Sequence, residues 1–100
     1  GEYHLLERVA RAFETSLARL LPQLSEAGQQ QDLATVAHVA HTLKSSSASI
    51  GALKLSQMCA DLESIIRRQT GEDLSSRIRD IPLEAERVQA GLQHVLETQA

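Results

Sequence analysis

Four stretches of the chain carry apolar residues at spacings of three and four, which is the period of an amphipathic α-helix. The first set is Leu6, Val9, Phe13, Leu17, Leu20 and Leu24, and the second is Leu33, Val36, Ala40, Leu43, Ser47 and Ile50. The third set is Leu55, Met58, Cys59, Leu62, Ile65 and Ile66, and the fourth is Ile78, Ile81, Ala85, Val88, Leu92 and Val95. The pattern predicts helices at about residues 3–27, 32–49, 52–69 and 73–98.

Short polar segments separate these stretches and contain residues that favour the ends of helices. Gly28 is suited to cap the first helix, and Gly71 to end the third. Asp32 and Asp73 are suited to cap the second and fourth helices at their N-termini. Gly51, in the segment SIGA, can adopt a positive φ at low cost, so it predicts a tight turn between the second and third helices.

Two prolines lie inside the apolar pattern. Pro22 and Pro82 each lack the backbone N–H that a helix interior uses, but the apolar period continues through both. The pattern therefore predicts kinks there, with a loop over residues 72–81 as the alternative for the second. Four amphipathic helices with short connections predict an all-α fold, an antiparallel up-down-up-down four-helix bundle. We expect residues 1–100 to form a single domain.

Composition excludes several function classes. The net charge of −3 and the aromatic content of 2% argue against a nucleic-acid binder, which needs a basic face or stacking rings. No apolar run approaches the length of a membrane span, so we expect no membrane contact by this domain. The single cysteine, Cys59, forms no internal disulfide, which is typical of the cytoplasm, and its apolar neighbours predict an inert core residue.

The segment AHTLKSSSASIGA, residues 40–52, surrounds one histidine with small residues. His41 lies at the border of the apolar face of the second helix, where most histidines are ordinary surface residues. Its helical neighbours are Ala37, Lys44, Ser45 and Ala48. Three of these four side chains are short, so they leave the imidazole open to the approach of another protein.

The chemistry of an open imidazole is nucleophilic or metal-binding. His38 lies three residues before His41, but no third ligand follows at a suitable spacing, so the metal site is weak. A neutral imidazole is a competent nucleophile near pH 7 and can carry a group covalently. One ring nitrogen then reacts while the other needs an acceptor that fixes the tautomer.

Counting outward from the predicted turn at Ile50–Gly51 brings His41 level with residues 60–63. Asp61 and Glu63 are the carboxylates in that segment. Glu63 lies one helical turn after Cys59, whereas Asp61 is rotated away from it. We therefore predict Glu63 as the orienting carboxylate, with an ordinary solvated glutamate as the alternative.

The segment HTLKSSSASIGALKLSQMCADLE, residues 41–63, resembles the histidine-containing phosphotransfer (HPt) domains of bacterial phosphorelays. The resemblance implies that His41 accepts phosphate from an aspartyl phosphate at its outer ring nitrogen. It implies that Lys44 balances the phosphoryl charge and that Glu63 bonds the inner ring nitrogen. Ser45 departs from the family, which usually has glycine four residues after the histidine.

The resemblance also implies a function and its partners. We expect a phosphohistidine carrier that relays phosphoryl groups between aspartates of response-regulator receiver domains, as the C-terminal domain of a hybrid sensor kinase. We expect a cytoplasmic monomer, which is tethered to the membrane if its parent kinase is a membrane sensor. We expect no kinase activity in this domain. We also expect no cofactor of its own, because Mg²⁺ belongs to the receiver. The residues expected to dock the receiver are Ala37, His38, Ser45 and Ala48.

Three other interpretations compete with this one. A sensor-kinase dimerisation domain also carries its histidine on a helical hairpin, but it normally precedes an ATP-binding domain. A chemotaxis-kinase-type phosphotransfer domain is more closely related to the HPt domains, so it is harder to exclude from the sequence. A non-catalytic helical interaction module would keep its function after the change His41→Gln, whereas a phosphate carrier would lose it.

Overall fold

The computed structural model describes residues 1–99, which form four α-helices. They are α1 (Glu2–Gln29), α2 (Leu33–Ser49), α3 (Leu53–Arg68) and α4 (Ser75–Gln99). Each helix packs against its neighbour in the chain, and α4 packs back against α1. The predicted all-α four-helix bundle is therefore confirmed. Ala100, the last residue of the predicted domain, lies outside the described residues.

One apolar core lies between the four helices. Its most deeply buried large side chains are Leu17, Leu20, Leu24, Leu43, Leu55, Leu62, Ile81, Val36 and Val39. Three residues predicted to face the core are instead exposed: Val9 to 36%, Leu33 to 48% and Val95 to 39%.

Helix length explains two of these exceptions, Val9 and Val95. The helices α1 and α4 have 28 and 25 residues, whereas α2 and α3 have 17 and 16. At about 1.5 Å per residue, the longer pair extends beyond the shorter hairpin. Val9 and Val95 lie on this extension, where α1 and α4 pack against each other beyond the ends of α2 and α3. Leu33 is the first residue of α2, at the opposite end of the bundle.

The end of α1 differs from the prediction. Helix α1 continues through Gly28, and Gln31 takes the left-handed conformation after it, with φ 56°. A Cβ at position 28 would lie 3.2 Å from Cδ1 of Ile78. The glycine therefore allows α1 and α4 to approach closely, and it does not cap the helix.

The other helix ends follow local chemistry. Asp32 caps α2 by accepting a hydrogen bond from the backbone N–H of Thr35 at 3.2 Å, as predicted. Gly51 has φ 78° in the turn between α2 and α3. Helix α3 ends before Gly71, because Gln69 itself takes the left-handed conformation.

Helix α4 begins two residues later than predicted. Asp73 accepts from the backbone N–H of Ser75, the first residue of the helix, at 3.0 Å, but the position directly before the helix is occupied by Leu74. Neither Pro22 nor Pro82 ends its helix, and the alternative of a loop through residue 81 is wrong. Within residues 1–99, no helix is both long enough and apolar enough to span a bilayer.

Candidate functional site

His41 lies on the outer border of α2, above the buried core. Its neighbours Ala40 and Leu43 are fully buried, so close packing of the core fixes the position of the helix that carries the ring. The side chain is 54% exposed. Its Nδ1 lies 2.9 Å from Oε2 of Glu63 on α3, which is a hydrogen-bond distance.

Glu63 is the centre of a charged cluster that joins the two helices. Its side chain is only 6% exposed, although it carries a carboxylate. Nζ of Lys44 donates to Oε1 at 2.8 Å, and Nη2 of Arg67 donates to Oε2 at 2.6 Å. With the contact from His41, three donors therefore surround one buried carboxylate.

The surroundings of Glu63 keep its carboxyl group ionised. The hydrogen bond from Lys44 is the largest cause that lowers its pKa, followed by the bond from His41 and the positive charges of Arg67 and Lys44. Burial acts in the opposite direction and raises the pKa, but the net shift is downward. Glu63 is therefore an acceptor at neutral pH and has no hydrogen to donate.

This ionisation decides the tautomer of a neutral His41. An ionised carboxylate at Nδ1 requires that this nitrogen carries the hydrogen, so Nε2 has the free lone pair. Within the described part of the chain, Nε2 makes no hydrogen bond. When the ring is neutral, the half-exposed side chain therefore carries a free lone pair on Nε2, which is the arrangement that a nucleophile needs.

Two hydrogen bonds between the site and the turn hold the register of the α2–α3 hairpin. Oγ of Ser56 donates to the carbonyl of Lys44 at 3.0 Å and so links α3 to the backbone of α2. At the turn, the backbone N–H of Ala52 donates to the carbonyl of Ser47 at 2.9 Å. These bonds keep His41 and Glu63 level with each other.

The residues expected to dock a partner all lie on α2, on the side of His41. His38, Ser45 and Ala48 are exposed, and Ala37 is half-buried. Oγ of Ser45 lies 3.5 Å from the carbonyl of His41, which is a long and weak bond. The hydroxyl is therefore only loosely held in this position.

The structure separates the two carboxylates of the segment DLE. It brings Glu63 to His41, and the role of that carboxylate in phosphate transfer stays a prediction. Asp61 accepts from Nε2 of Gln57 at 2.8 Å instead. Among the described residues, no group of three or more His, Cys, Asp and Glu side chains is arranged to hold a metal ion.

Two residues of the site were missed from the sequence. Arg67 follows Glu63 by four residues, a spacing at which a basic residue reaches an acidic one on the same helix, and this signal was available. The contact of Ser56 with α2 depends on how the two helices face each other, so its sequence position did not reveal it.

Cys59 lies in the core behind the site. Its side chain is fully buried, and burial raises the pKa of its thiol to about 12. The thiol is therefore protonated at neutral pH and unreactive.

Comparison with known proteins identifies the family. A family model described as "Hpt domain" matches residues 8–97, which is most of the chain. The chain belongs to the Hpt family. A search of curated proteins and a search of solved structures gave no match. The chain is thus an Hpt phosphotransfer domain, a class that works with receiver domains and carries no cofactor.

Proposed function

We propose that His41 of this Hpt domain carries a phosphoryl group on Nε2 and relays it between aspartates of response-regulator receiver domains. The observation that carries the proposal is the contact between Nδ1 of His41 and the buried, ionised Glu63. It leaves the nucleophilic lone pair on the ring nitrogen that an approaching receiver can reach.

The accepting step follows from this geometry. The Nε2 lone pair attacks the phosphorus of the receiver's aspartyl phosphate, the P–O bond breaks, and the aspartate leaves as a carboxylate. The ring keeps its hydrogen on Nδ1 and gains a positive charge, which faces the carboxylate of Glu63. Donation to the next receiver is the reverse of this step.

Lys44 and Glu63 have separate roles in the proposal. Glu63 fixes the tautomer and stabilises the positive charge that develops on the ring. Lys44 is one helical turn from His41, and its Nζ has three donors. It binds Glu63 at 2.8 Å and has further donors for the oxygens of the phosphoryl group.

The small residues around His41 form the approach path for the receiver. The docking surface consists of three small residues and one histidine: Ala37, Ser45, Ala48 and His38. The receiver supplies the Mg²⁺. In place of the usual glycine, Ser45 adds one hydroxyl, and its hydrogen bond among residues 1–99 is the long one to the backbone of His41.

The remaining parts of the proposal concern context. The domain acts as a monomer in the cytoplasm, at the C-terminal end of a hybrid sensor kinase, without kinase activity of its own. The resemblance of residues 41–63 to phosphorelay domains supports this placement. The acidic net charge of −3 supports receivers, not nucleic acids, as partners.

The experiment is transfer from a phosphorylated receiver to the wild-type domain and to the variant His41→Gln. His94→Gln is the matched control, because His94 is an exposed histidine on α4. We expect acid-labile, alkali-stable phosphate on the wild type and on the control, and none on His41→Gln. Absence of label from several donors on a folded wild type would favour the non-catalytic interaction module instead.

A further inference from the structure

Two cations reach the Glu63 carboxylate from opposite directions along the hairpin. Lys44 lies one turn after His41 on α2, and Arg67 lies one turn after Glu63 on α3. Because the two helices are antiparallel, these positions are on opposite sides of the ring along the hairpin axis. Helical side chains tilt toward the N-terminus of their own helix, so both cations lean back to the level of His41.

Arg67 has donors to spare at this position. Its guanidinium has five N–H donors, and within the described residues its hydrogen bond is the one from Nη2 to Oε2 of Glu63. The side chain is 70% exposed. Since His41 uses the same carboxylate oxygen, the guanidinium lies within two hydrogen-bond lengths of the imidazole.

The charges of the cluster leave a positive surplus. With a neutral His41, the negative charge of Glu63 is matched by Lys44, and the charge of Arg67 is left over. A phosphoryl group on Nε2 brings two negative charges to the same place. A planar guanidinium is well suited to such a group, because it can donate two parallel hydrogen bonds to phosphoryl oxygens.

We propose that Arg67 is a second phosphoryl-binding cation, which holds the phosphoryl group on His41 together with Lys44. The inference rests on the proposed function and adds a residue that acts on the transferred group itself. Glu63 then has two functions: it orients the ring, and it positions the guanidinium while the site is empty.

A small phosphoryl donor tests this role without receiver docking, and the probe is phosphoramidate. In the zwitterionic form of the donor, whose nitrogen already carries three hydrogens, the Nε2 lone pair attacks the phosphorus, the P–N bond breaks, and ammonia leaves with the electron pair of that bond. The ring keeps the hydrogen on Nδ1, so atoms and charge balance. The quantities measured are the rate of labelling and the lifetime of the phosphohistidine.

The variants are Arg67→Ala and Arg67→Lys, with Arg68→Ala as the matched control. Arg68 is the next residue on α3, carries the same charge, and bonds the carbonyl of Ser64. We expect Arg67→Ala to label about tenfold more slowly than the wild type, Arg67→Lys to lie between them, and Arg68→Ala to match the wild type. Circular dichroism checks that each variant is folded.

A second comparison separates contact with the phosphoryl group from support of Glu63. Arg67→Ala is combined with Glu63→Gln, which removes the charge that Arg67 would support. If the double variant is labelled more slowly than Glu63→Gln alone, the result supports the proposal. No further decrease, or equal rates for Arg67→Ala and Arg68→Ala, overturns it. An unlabelled wild type overturns the proposed function as well, so the two failures are distinguishable.

Discussion

The change Glu63→Gln tests how the carboxylate contributes to phosphate transfer. Glutamine has nearly the same shape and can still accept a hydrogen bond from Nδ1 of His41, but it carries no charge. The variant therefore removes the electrostatic part of the contact and keeps the ring in its position.

The size of the effect follows from the contact distance. Nδ1 and Oε2 are 2.9 Å apart, which puts the centres of charge of the two groups about 4 Å apart. Two unit charges at about 4 Å interact by about 4 kcal/mol near a protein surface and by about 1 kcal/mol in water. The ring is half exposed and its charge is partial in the transition state, so we expect a loss of about 1.4–2.7 kcal/mol, or about 10- to 100-fold in rate.

Stability changes much less than the rate. The three groups that contact Glu63 all reach solvent: the side chains of His41 and Arg67 are 54% and 70% exposed, and that of Lys44 is partly exposed, to 34%. Glutamine fills the space of the carboxylate, and water solvates the exposed parts of these groups, so the free energy of unfolding should change by less than about 1 kcal/mol.

The assay is single-turnover transfer from a phosphorylated receiver, with urea unfolding measured on the same samples. Asp61→Asn is the matched control, because it removes the same charge two residues away without touching His41. If Glu63→Gln and Asp61→Asn both transfer phosphate at the wild-type rate, the charge of Glu63 does not contribute to transfer and the reasoning is refuted.

The remaining predictions concern stability, acid and reactivity. Ser47→Ala should raise the free energy of unfolding in urea by about 1 kcal/mol, because the buried Oγ has no hydrogen-bond partner among the described residues; a decrease would show that the hydroxyl is bonded. Gly51→Ala should lower it by about 1 kcal/mol, since φ is 78° and a Cβ there meets no atom within 4 Å; an unchanged value would contradict the strained backbone. The pKa of Glu63 is lowered on folding, so its contribution to stability is complete above the unfolded pKa of about 4.3 and is lost as pH falls through the folded value. Acid unfolding monitored by circular dichroism should therefore be less steep below about pH 4.3 for Glu63→Gln than for the wild type, and equal slopes would argue against the shift. The thiol of Cys59 should react with a disulfide reagent only after unfolding, because it is fully buried; fast labelling of the folded protein would contradict the core position.

The bundle was predictable because its strongest signals are periodic and local. The four apolar stripes gave the number and order of the helices, and Asp32 and Asp73 marked two of the helix starts. The errors have a common cause. Burial of Val9 and Val95 depends on how far α1 and α4 extend beyond the hairpin, and the role of Gly28 depends on Ile78 of another helix.

The candidate site was predictable to the extent that it follows the hairpin. Counting from Gly51 predicted that Glu63 lies level with His41, because a short turn fixes the register of two antiparallel helices. The count did not reveal how the carboxylate is shared. That Lys44 takes one oxygen while His41 and Arg67 take the other depends on rotamers and on burial, which a sequence pattern does not specify.

The most direct test of the central claim is NMR of the phosphorylated domain with ¹⁵N-labelled histidine. If His41 is the carrier and Glu63 holds its Nδ1, the ³¹P–¹⁵N coupling will appear at Nε2 of His41, and Nδ1 will keep its hydrogen. A phosphoryl group found on Nδ1, or on a different histidine such as His38, would contradict the account.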